Sequence, residues 1–348
     1  MPPNDTHFAR TMEIAMTNAM PLRTRVTPTL LAATLSATAA LGMSLLIADA
    51  TSAQTYPSKM IKVICPIPAG SVLDVTVRLV TPELSARLGV PVVVDNRPGG
   101  GGTTGIKEFA RATADGHTLL GSSLSGVFAL KTLDYDPVKD VVPIGTAATH
   151  HWVLVVAPTV PAKSVKELVD YAKANPGKLN WGFGQGTSPH MYGELFKAAT
   201  GIDVHNIPYK SGTLAVPDVL AGRIDMNFGT ASNLLPLIQE GKLRALAISS
   251  EVRSPDLPNV PTMAESGFPY LTRGGWMGLW GPRGTPAHIV NRLNAEITAS
   301  VTTPAMKAAM KNLDFEPKYG SPQDFATFIL DEIEAWTPAA KAAGIIPK

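Results

Sequence analysis

The strongest constraint on the fold is an alternation of short strand-like runs with helix-like segments. Residues 60–67, 90–96 and 117–123 are short runs rich in Val, Ile and Leu. Residues 71–88 have the length of a helix and are followed by Gly89, a residue that commonly ends helices. Because such alternation is typical of βαβ units, the chain is predicted to have an α/β fold with largely parallel sheets.

Two apolar segments, residues 144–157 and 275–281, interrupt this alternation, and a second α/β series runs between them. We interpret them as crossings between two lobes, the second inserted in the first. Residues 54–149 and 278–348 are predicted to form lobe 1, and residues 150–277 lobe 2. Ligands of such sheets bind beyond the carboxyl ends of the strands, and lobes joined by crossings close about a hinge.

Residues 1–53 are predicted to be a signal peptide and leader. Two arginines precede an uncharged run, residues 29–48, which small residues follow. This order is typical of a secretory signal, here cleaved after Ala50 or Ala53, and it predicts a periplasmic protein. An uncleaved membrane anchor is the alternative because the run is long enough to span a bilayer, although Ala, Ser and Thr dilute its hydrophobicity.

Composition excludes several classes of function. The formal net charge is +2 and no block of like charge occurs, which argues against a nucleic-acid partner. The single cysteine, Cys65, excludes an intramolecular disulfide and a cysteine-based metal site. It lies in a predicted strand, so we interpret it as a small buried hydrophobic residue. No metal and no cofactor are predicted.

A glycine-rich stretch, NRPGGGGTTG, matches the G-x-G-x-x-G spacing of dinucleotide-binding loops from Gly100 onward. A dinucleotide site also needs an acidic residue at the end of the next strand. That strand ends in GSSLSG, which has serines and no carboxylate. The glycines are therefore predicted to form a tight rim loop, and Ser122 and Ser123 become candidate hydroxyl donors.

Two other loops precede predicted helices. In PIPAGSVLD, Ser71 and Asp74 have the spacing of a capping box, and free backbone N–H groups near Val72 suit an anion. In GFGQGTSPH, alternate glycines permit close backbone approach, and Thr187 and Ser188 offer hydroxyls at a helix start, with Ser188 the predicted N-cap. Both loops are predicted to bind ligand.

Enzyme motifs are missing from the sequence. It contains no G-x-S-x-G, S-x-x-K or H-E-x-x-H. Ser188 and His190 are two residues apart on a helix and cannot pair as nucleophile and base. His190 and Glu194 could share a metal, but such a pair is more often a surface contact. His150 and His151 lie on a predicted crossing, where a histidine either meets a ligand carboxylate or packs in the interior.

Several motifs, in this order, resemble the Bug receptors, which are extracytoplasmic solute-binding proteins of tripartite tricarboxylate transporters. They include YPSKMIKVICPIPAGSVLD, VPVVVDNRPGGGGTTG, ADGHTLL, KLNWGFGQGTSPHMYGELF, IPYKSG, GRIDMNF and NVPTMAESG. The resemblance extends from Tyr56 to the C-terminus. It implies a two-lobe periplasmic binding protein of type 2, the Venus flytrap architecture, which captures small organic anions for a membrane carrier.

The resemblance and the loops together define the candidate ligand-binding residues. The family holds its ligand with loops that correspond to residues 70–74 and 184–188, and Tyr209 matches its P-Y-K-G segment. The full candidate set is Ser71, Val72, Asp74, Ser122, Ser123, His151, Gly184, Gly186, Thr187, Ser188, Tyr209 and Thr230.

Two departures from the family pattern concern specificity. Ile67 and Ser71 replace an aromatic residue and a second glycine of the first loop, and Gly229 and Thr230 stand where the family often has an aspartate. Without that carboxylate, the ammonium group of an amino acid has no expected partner. This departure therefore favours an uncharged, aromatic or purely anionic ligand. The predicted partner is a small organic anion, namely a mono-, di- or aromatic carboxylate.

The predicted function is a monomeric, non-enzymatic receptor that delivers a small organic anion to the membrane subunits of a tripartite tricarboxylate-type transporter. One alternative is a periplasmic enzyme that acts on a small organic acid through His190 or His151 with Asp74. Another is a ligand-sensing partner of a membrane kinase, which the sequence does not separate from transport.

Overall fold

The structure, a computed structural model, describes residues 56–346. Its strands are β1 (Ile61–Cys65), β2 (Val92–Asn96), β3 (Thr118–Ser122), β4 (Val141–His150), β5 (Trp152–Val156), β6 (Asn180–Gly184), β7 (His205–Tyr209), β8 (Met226–Thr230), β9 (Arg244–Ile248), β10 (Gly275–Pro282) and β11 (Phe315–Pro317). They form two sheets, with the strand orders β11-β4-β10-β3-β1-β2 and β7-β6-β8-β5-β9.

Helices connect and cover these strands. They are α1 (Val72–Leu88), α2 (Thr103–Ala110), α3 (Leu124–Thr132), α4 (Val165–Ala174), α5 (Ser188–Thr200), α6 (Val216–Leu220), α7 (Ala231–Gln239), α8 (Ala287–Thr302), α9 (Pro304–Lys311) and α10 (Pro322–Ala342). Short 3₁₀ turns occur at Gly100–Gly102, Gly212–Ala215 and Pro269–Leu271.

Both sheets contain parallel and antiparallel pairs, so the prediction of largely parallel sheets holds for only part of each sheet. In the first sheet β1 is parallel to β2 and β3, whereas β10 is antiparallel to β3 and β4. In the second sheet β6 is parallel to β7 and β8, whereas β5 is antiparallel to β8 and β9. The parallel pairs are joined through helices. The two strands that flank the first passage between the sheets, β4 and β5, make only antiparallel pairs.

The chain passes between the two sheets at two places. Only His151 separates β4 of the first sheet from β5 of the second. The return lies between β9 and β10. Residues 275–281, predicted as a crossing, instead lie in β10, which pairs along its length with β4 of the first sheet. The prediction was wrong because β10 is buried at every position, so its sequence lacks the alternation of apolar and polar residues that marks a strand with one exposed face. The lobe limits given above stay a prediction.

A C-terminal helix ties the two halves together. Helix α10 packs on α5, where the rings of Trp336 and Tyr192 lie 6.1 Å apart. Its Glu332 accepts a hydrogen bond of 2.8 Å from the indole N–H of Trp276 in β10. Burial of such large aromatic side chains stabilises the fold by roughly 1.5–3 kcal/mol each.

The helix ends test the predicted caps. Helix α1 ends at Gly89 in the left-handed conformation, and Ser321 and Asp324 form a reciprocal capping box at α10. At α4, Ser164 is the N-cap and accepts from the Glu167 N–H, while the Glu167 carboxylate accepts from the Lys163 N–H. The helix predicted over residues 71–88 thus agrees with α1 to within one residue.

The predicted signal peptide lies outside the described residues. Among residues 56–346, no helix has the length and hydrophobicity needed to cross a membrane.

Candidate functional site

A cavity of about 740 Å³, open solvent at its mouth included, lies where loops of both sheets meet. Six of the predicted ligand-binding residues line it: Ser71, Val72, Ser123, Thr187, Ser188 and Thr230. The other six, Asp74, Ser122, His151, Gly184, Gly186 and Tyr209, do not. Four helix starts, those of α1, α3, α5 and α7, face this one space.

The first wall is the start of α1. Ser71 and Val72 line the cavity, and the N–H groups of the first helical turn have no partner within the helix. The predicted capping box is wrong: the Ser71 hydroxyl donates to the Pro68 carbonyl at 2.7 Å and caps nothing. The first turn therefore keeps donors that are available to an anion.

Asp74 supports this wall from behind. It is 2% exposed, and its carboxylate accepts from the Gly70 N–H at 2.9 Å, from Arg78 at 3.0 Å and from the Asn96 amide at 2.8 Å. Burial alone would raise the pKa of this carboxyl, but these hydrogen bonds and the Arg78 charge bring the pKa below its usual value. Asp74 holds the loop and does not reach the cavity.

The start of α3 adds two hydroxyls from the same lobe. Ser123 and Ser125 both line the cavity, and their hydroxyl oxygens are 3.1 Å apart. Ser122, by contrast, is 1% exposed and turned toward Gly126, where an added Cβ would lie 1.7 Å from its hydroxyl. The prediction from the sequence included Ser122, which faces away from the cavity because neighbouring residues at a strand end point to opposite sides. It missed Ser125, which lies in the first turn of α3.

The second wall is the start of α5. Thr187, not Ser188, occupies the N-cap position, and the Thr187 hydroxyl donates to the Gly184 carbonyl at 2.7 Å. Ser188 is the first helical residue and lines the cavity. The prediction of Ser188 as N-cap is therefore off by one residue.

Gly184 and Tyr209 position this wall without lining the cavity. A Cβ on Gly184 would lie 2.7 Å from the Gly212 nitrogen, so glycine is needed where β6 passes the 3₁₀ turn. The Tyr209 hydroxyl donates to Asp218, away from the cavity. Tyr209 and Gly186 instead line an outer cavity at the mouth.

Four polar residues of the second lobe escaped the sequence analysis. Ser211 and Thr213 line the cavity with their hydroxyl oxygens 2.7 Å apart, and Asn227 and Asn233 line it as well. Asn227 donates to the Gly182 carbonyl at 2.7 Å, and its own carbonyl oxygen has no partner among the described residues. The segment YKSGT carried a weak signal, a glycine flanked by hydroxyl residues.

The floor is aromatic and includes His150, Trp152 and Trp276. Burial lowers the pKa of His150 to about 3, with a further small contribution from His151, so its imidazole is neutral. His151, the predicted residue, does not line the cavity. Burial also lowers its pKa, opposed by the carboxylates of Glu316, Asp314 and Glu251.

No Lys, Arg, Asp or Glu is found among the described residues that line the cavity. Its electrostatic character therefore comes from N–H groups and hydroxyls at helix starts, which carry partial positive charge. Such a surface binds a carboxylate without a formal counter-charge.

The residues considered for catalysis or metal binding do not line the cavity and make other contacts. His190 stacks on Phe183 with ring centroids 4.2 Å apart, and its Nδ1 accepts from the Gly186 N–H at 3.3 Å. Burial lowers its pKa to about 4. Glu194 pairs with Lys197 at 2.9 Å. Among the described residues, no group of three or more His, Cys, Asp or Glu side chains could hold a metal ion.

The glycine-rich stretch forms part of the outer cavity. Gly99–Gly102 all have positive φ, and a Cβ on Gly105 would lie 2.9 Å from the Arg97 carbonyl and 3.0 Å from Pro66. A Cβ on Gly186 would lie 3.1 Å from the Gly101 Cα, so the two rim loops touch across the mouth. These glycines permit close backbone contact.

Comparisons with known proteins agree on one family. The family described as "Tripartite tricarboxylate transporter family receptor" matches residues 76–345. Protein BugT of Bordetella pertussis is 36% identical over 304 residues, which cover 86% of this chain and 93% of BugT.

Solved structures of similar proteins include the periplasmic binding protein BugD, with 31% identity and a TM-score of 0.76 over 83% of this chain and 99% of BugD. R. palustris Rpa4515 with adipate has 31% identity and a TM-score of 0.76 over 83% of this chain and 98% of Rpa4515. MatC from Rhodopseudomonas palustris with bound malate has 28% identity and a TM-score of 0.75 over 82% of this chain and 99% of MatC. These matches confirm the two-lobe fold of periplasmic binding proteins.

Proposed function

Because this chain belongs to the tripartite tricarboxylate transporter receptor family, we propose that it is a periplasmic receptor for a small carboxylate. In this proposal the anion is captured between the two lobes and delivered to the membrane subunits of a transporter of that type. The receptor acts as a monomer and breaks no bond in its ligand.

The observation that carries the proposal is the meeting of the α1 and α5 starts in one cavity lined by no charged side chain among the described residues. The α1 start offers the N–H groups of its first turn. At the α5 start Pro189 has no N–H and the His190 N–H donates to the Thr187 carbonyl, so the Ser188 N–H remains. Each start also brings a serine, Ser71 or Ser188, to the cavity lining. A carboxylate between them would contact both lobes at once. Closure is then favoured by ligand contacts that the open state lacks.

The relatives support the chemical class of the ligand. Rpa4515 is described with adipate and MatC with malate, both small carboxylates. Asp74, His151 and His190, which the enzymatic alternative requires, all lie outside the cavity lining. We therefore expect bound ligand to be recovered chemically unaltered after prolonged incubation.

Replacement of Ser188 by Trp tests the site. The indole would fill the space at the α5 start, so carboxylate binding should fall by more than about 100-fold. The melting temperature should change little because the residue lines the cavity and the indole has that space to occupy. Isothermal titration calorimetry against adipate, malate and aromatic carboxylates measures the loss. Ala287→Trp is the matched control, since Ala287 begins α8 and is exposed. Equal affinity of wild type and Ser188→Trp for every ligand that binds would contradict the site.

A further inference from the structure

The outer cavity adjoins the inner cavity, which is the one that the four helix starts face. It encloses about 1250 Å³, open solvent included, and both rim loops, Gly99–Gly102 and Gln185–Thr187, line it. Ile67 and Thr187 line both cavities, so the two spaces meet beside the α5 start. A ligand that reaches the helix starts through this mouth therefore crosses the outer cavity first.

Lys210 gives the outer cavity a positive charge. It is the one charged side chain among the described residues that line this space, and it is exposed to solvent. The inner cavity, in contrast, is lined by no charged side chain within residues 56–346. The cation on this route thus lies in front of the carboxylate site and outside it.

Strand pairing fixes the position of Lys210. The residue comes directly after β7, whose last residue, Tyr209, is opposite Gly184 at the end of β6. The Gln185 N–H donates to the Tyr209 carbonyl at 2.9 Å and extends this pairing beyond the strands. Lys210 therefore lies beside the loop that leads from β6 into α5.

The rest of the lining does not cancel this charge. The Tyr209 hydroxyl donates to Asp218, but Asp218 pairs with Arg223, which largely offsets its negative charge. A cleft that has one sign of charge and walls of low polarity concentrates the electric field and attracts the counter-ion. Most of the wall residues are prolines and glycines without charge: Pro66, Pro68, Pro98, Pro208, Gly99, Gly100, Gly101, Gly102 and Gly186.

We propose that the outer cavity is an entry site for small organic anions, in which Lys210 attracts the incoming carboxylate and increases its rate of association. The anion is held there before the rim loops close, and it then moves to the α1 and α5 starts. This inference rests on the proposed receptor function. It assigns Lys210 a role in the rate of capture and none in the strength of final binding.

Stopped-flow fluorescence on the mature protein, after removal of bound ligand, measures the association. Trp152 and Trp276 line the inner cavity and serve as reporters. The probes are adipate, malate and benzoate, each at about 0.1 M and about 1 M salt, where charges are screened over about 10 Å and about 3 Å.

Lys210→Met should lower the association rate constant about two-fold at the lower salt concentration, and Lys210→Glu about five-fold, since a single charge supplies less than a cleft lined by several. Both effects should fall below about 1.5-fold at the higher salt concentration. Dissociation rate constants should stay within about two-fold of wild type, because Lys210 does not contact the ligand in the final complex.

Lys173→Glu is the matched control, since it makes the same change of charge at an exposed lysine. A Cβ on Gly201, the residue that ends α5, would lie 4.0 Å from the Lys173 Cε. The 13 residues of α5 separate this end from the α5 start by about 20 Å, twice the screening length at the lower salt concentration. The association rate constant of Lys173→Glu should therefore fall by less than about 1.5-fold.

Four results would overturn the entry site alone. They are equal association rate constants of wild type and Lys210→Glu, an equal loss in Lys173→Glu, a loss that persists at the higher salt concentration, and a loss of affinity that arises from faster dissociation. The last result would mean that Lys210 holds the bound ligand. Failure of all three probes to bind in calorimetry would instead overturn the receptor proposal itself.

Discussion

The two walls of the cavity present the same kind of donor group but are held in place differently. In the first lobe, the α1 start is fixed by the buried carboxylate of Asp74, which bonds Gly70, Arg78 and Asn96. In the second lobe, the α5 start is fixed by the close passage of Gly184 against Gly212. One wall thus depends on charge and the other on backbone packing.

This difference teaches that similar ligand-facing surfaces respond to different perturbations. A loop held by an ionised carboxylate is sensitive to pH and to loss of charge, whereas a loop held by glycine packing is sensitive to added volume. The predictions below test that contrast, from the largest expected effect to the smallest.

Gly184→Ala should have the largest effect, because its Cβ would lie 2.7 Å from the Gly212 nitrogen and 2.9 Å from the Ser211 Cα, both backbone atoms. We expect a loss of about 3 kcal/mol in the free energy of unfolding, from overpacking. Urea denaturation measures it. The facing residue supplies the control: a Cβ on Gly212 would meet nothing closer than 3.8 Å, so Gly212→Ala should cost less than about 1 kcal/mol. Equal losses in the two variants would refute the packing argument.

Asp74→Asn should lower the free energy of unfolding at pH 7 by about 2 kcal/mol, since hydrogen bonds to a charged group are replaced by neutral ones. The pKa of Asp74 is lower in the folded state than its ordinary value of 3.8. Its stabilising contribution is therefore present above that value and is lost as the pH falls through the folded-state pKa. Denaturation curves at several pH values should show wild type and Asp74→Asn converging below about pH 4. A constant gap at all pH values would exclude the charge as its source.

Gly186→Asn should weaken carboxylate binding by about ten-fold through the contact at the mouth, because an added Cβ would lie 3.1 Å from the Gly101 Cα and hold the rim loops apart. Gly241→Asn is matched in backbone conformation, with φ of +69° against +72°, and its Cβ would meet no atom within 4 Å. The two variants should lose similar stability, and only Gly186→Asn should lose affinity. Calorimetry with the best-binding carboxylate distinguishes them, and unchanged affinity would show that rim contact is not needed for capture.

Much of the fold could be predicted from the sequence, because short apolar runs and helix-ending residues recur along the chain. Runs rich in Val, Ile or Leu predicted β1, β2 and β3, and Gly89 marked the end of α1. The glycine stretch was predicted to form a rim loop, and its Gly101 does lie against Gly186 at the mouth. The long strand β10 was misread, because a strand buried at every position carries no periodicity.

The residues of the site were harder to predict from the sequence than the fold, and two pairs of adjacent residues show why. His151 was predicted to bind ligand, but its neighbour His150 lines the cavity instead. Ser122 and Ser123 were both predicted to bind ligand, but only Ser123 lines the cavity, and Ser122 is buried and turned away from it. Which member of such a pair faces the ligand depends on strand register, and register is set by partners far away in sequence, such as Gly275 opposite His150.

The sequence by itself determined the alternation of strands and helices, the α/β class and the family, since these follow from local composition and ordered motifs. Only the tertiary structure decided that four helix starts share one uncharged cavity and that His150 lies in its floor. Local preferences act between near neighbours in the chain, whereas a cavity is formed by residues that packing brings together from both sheets.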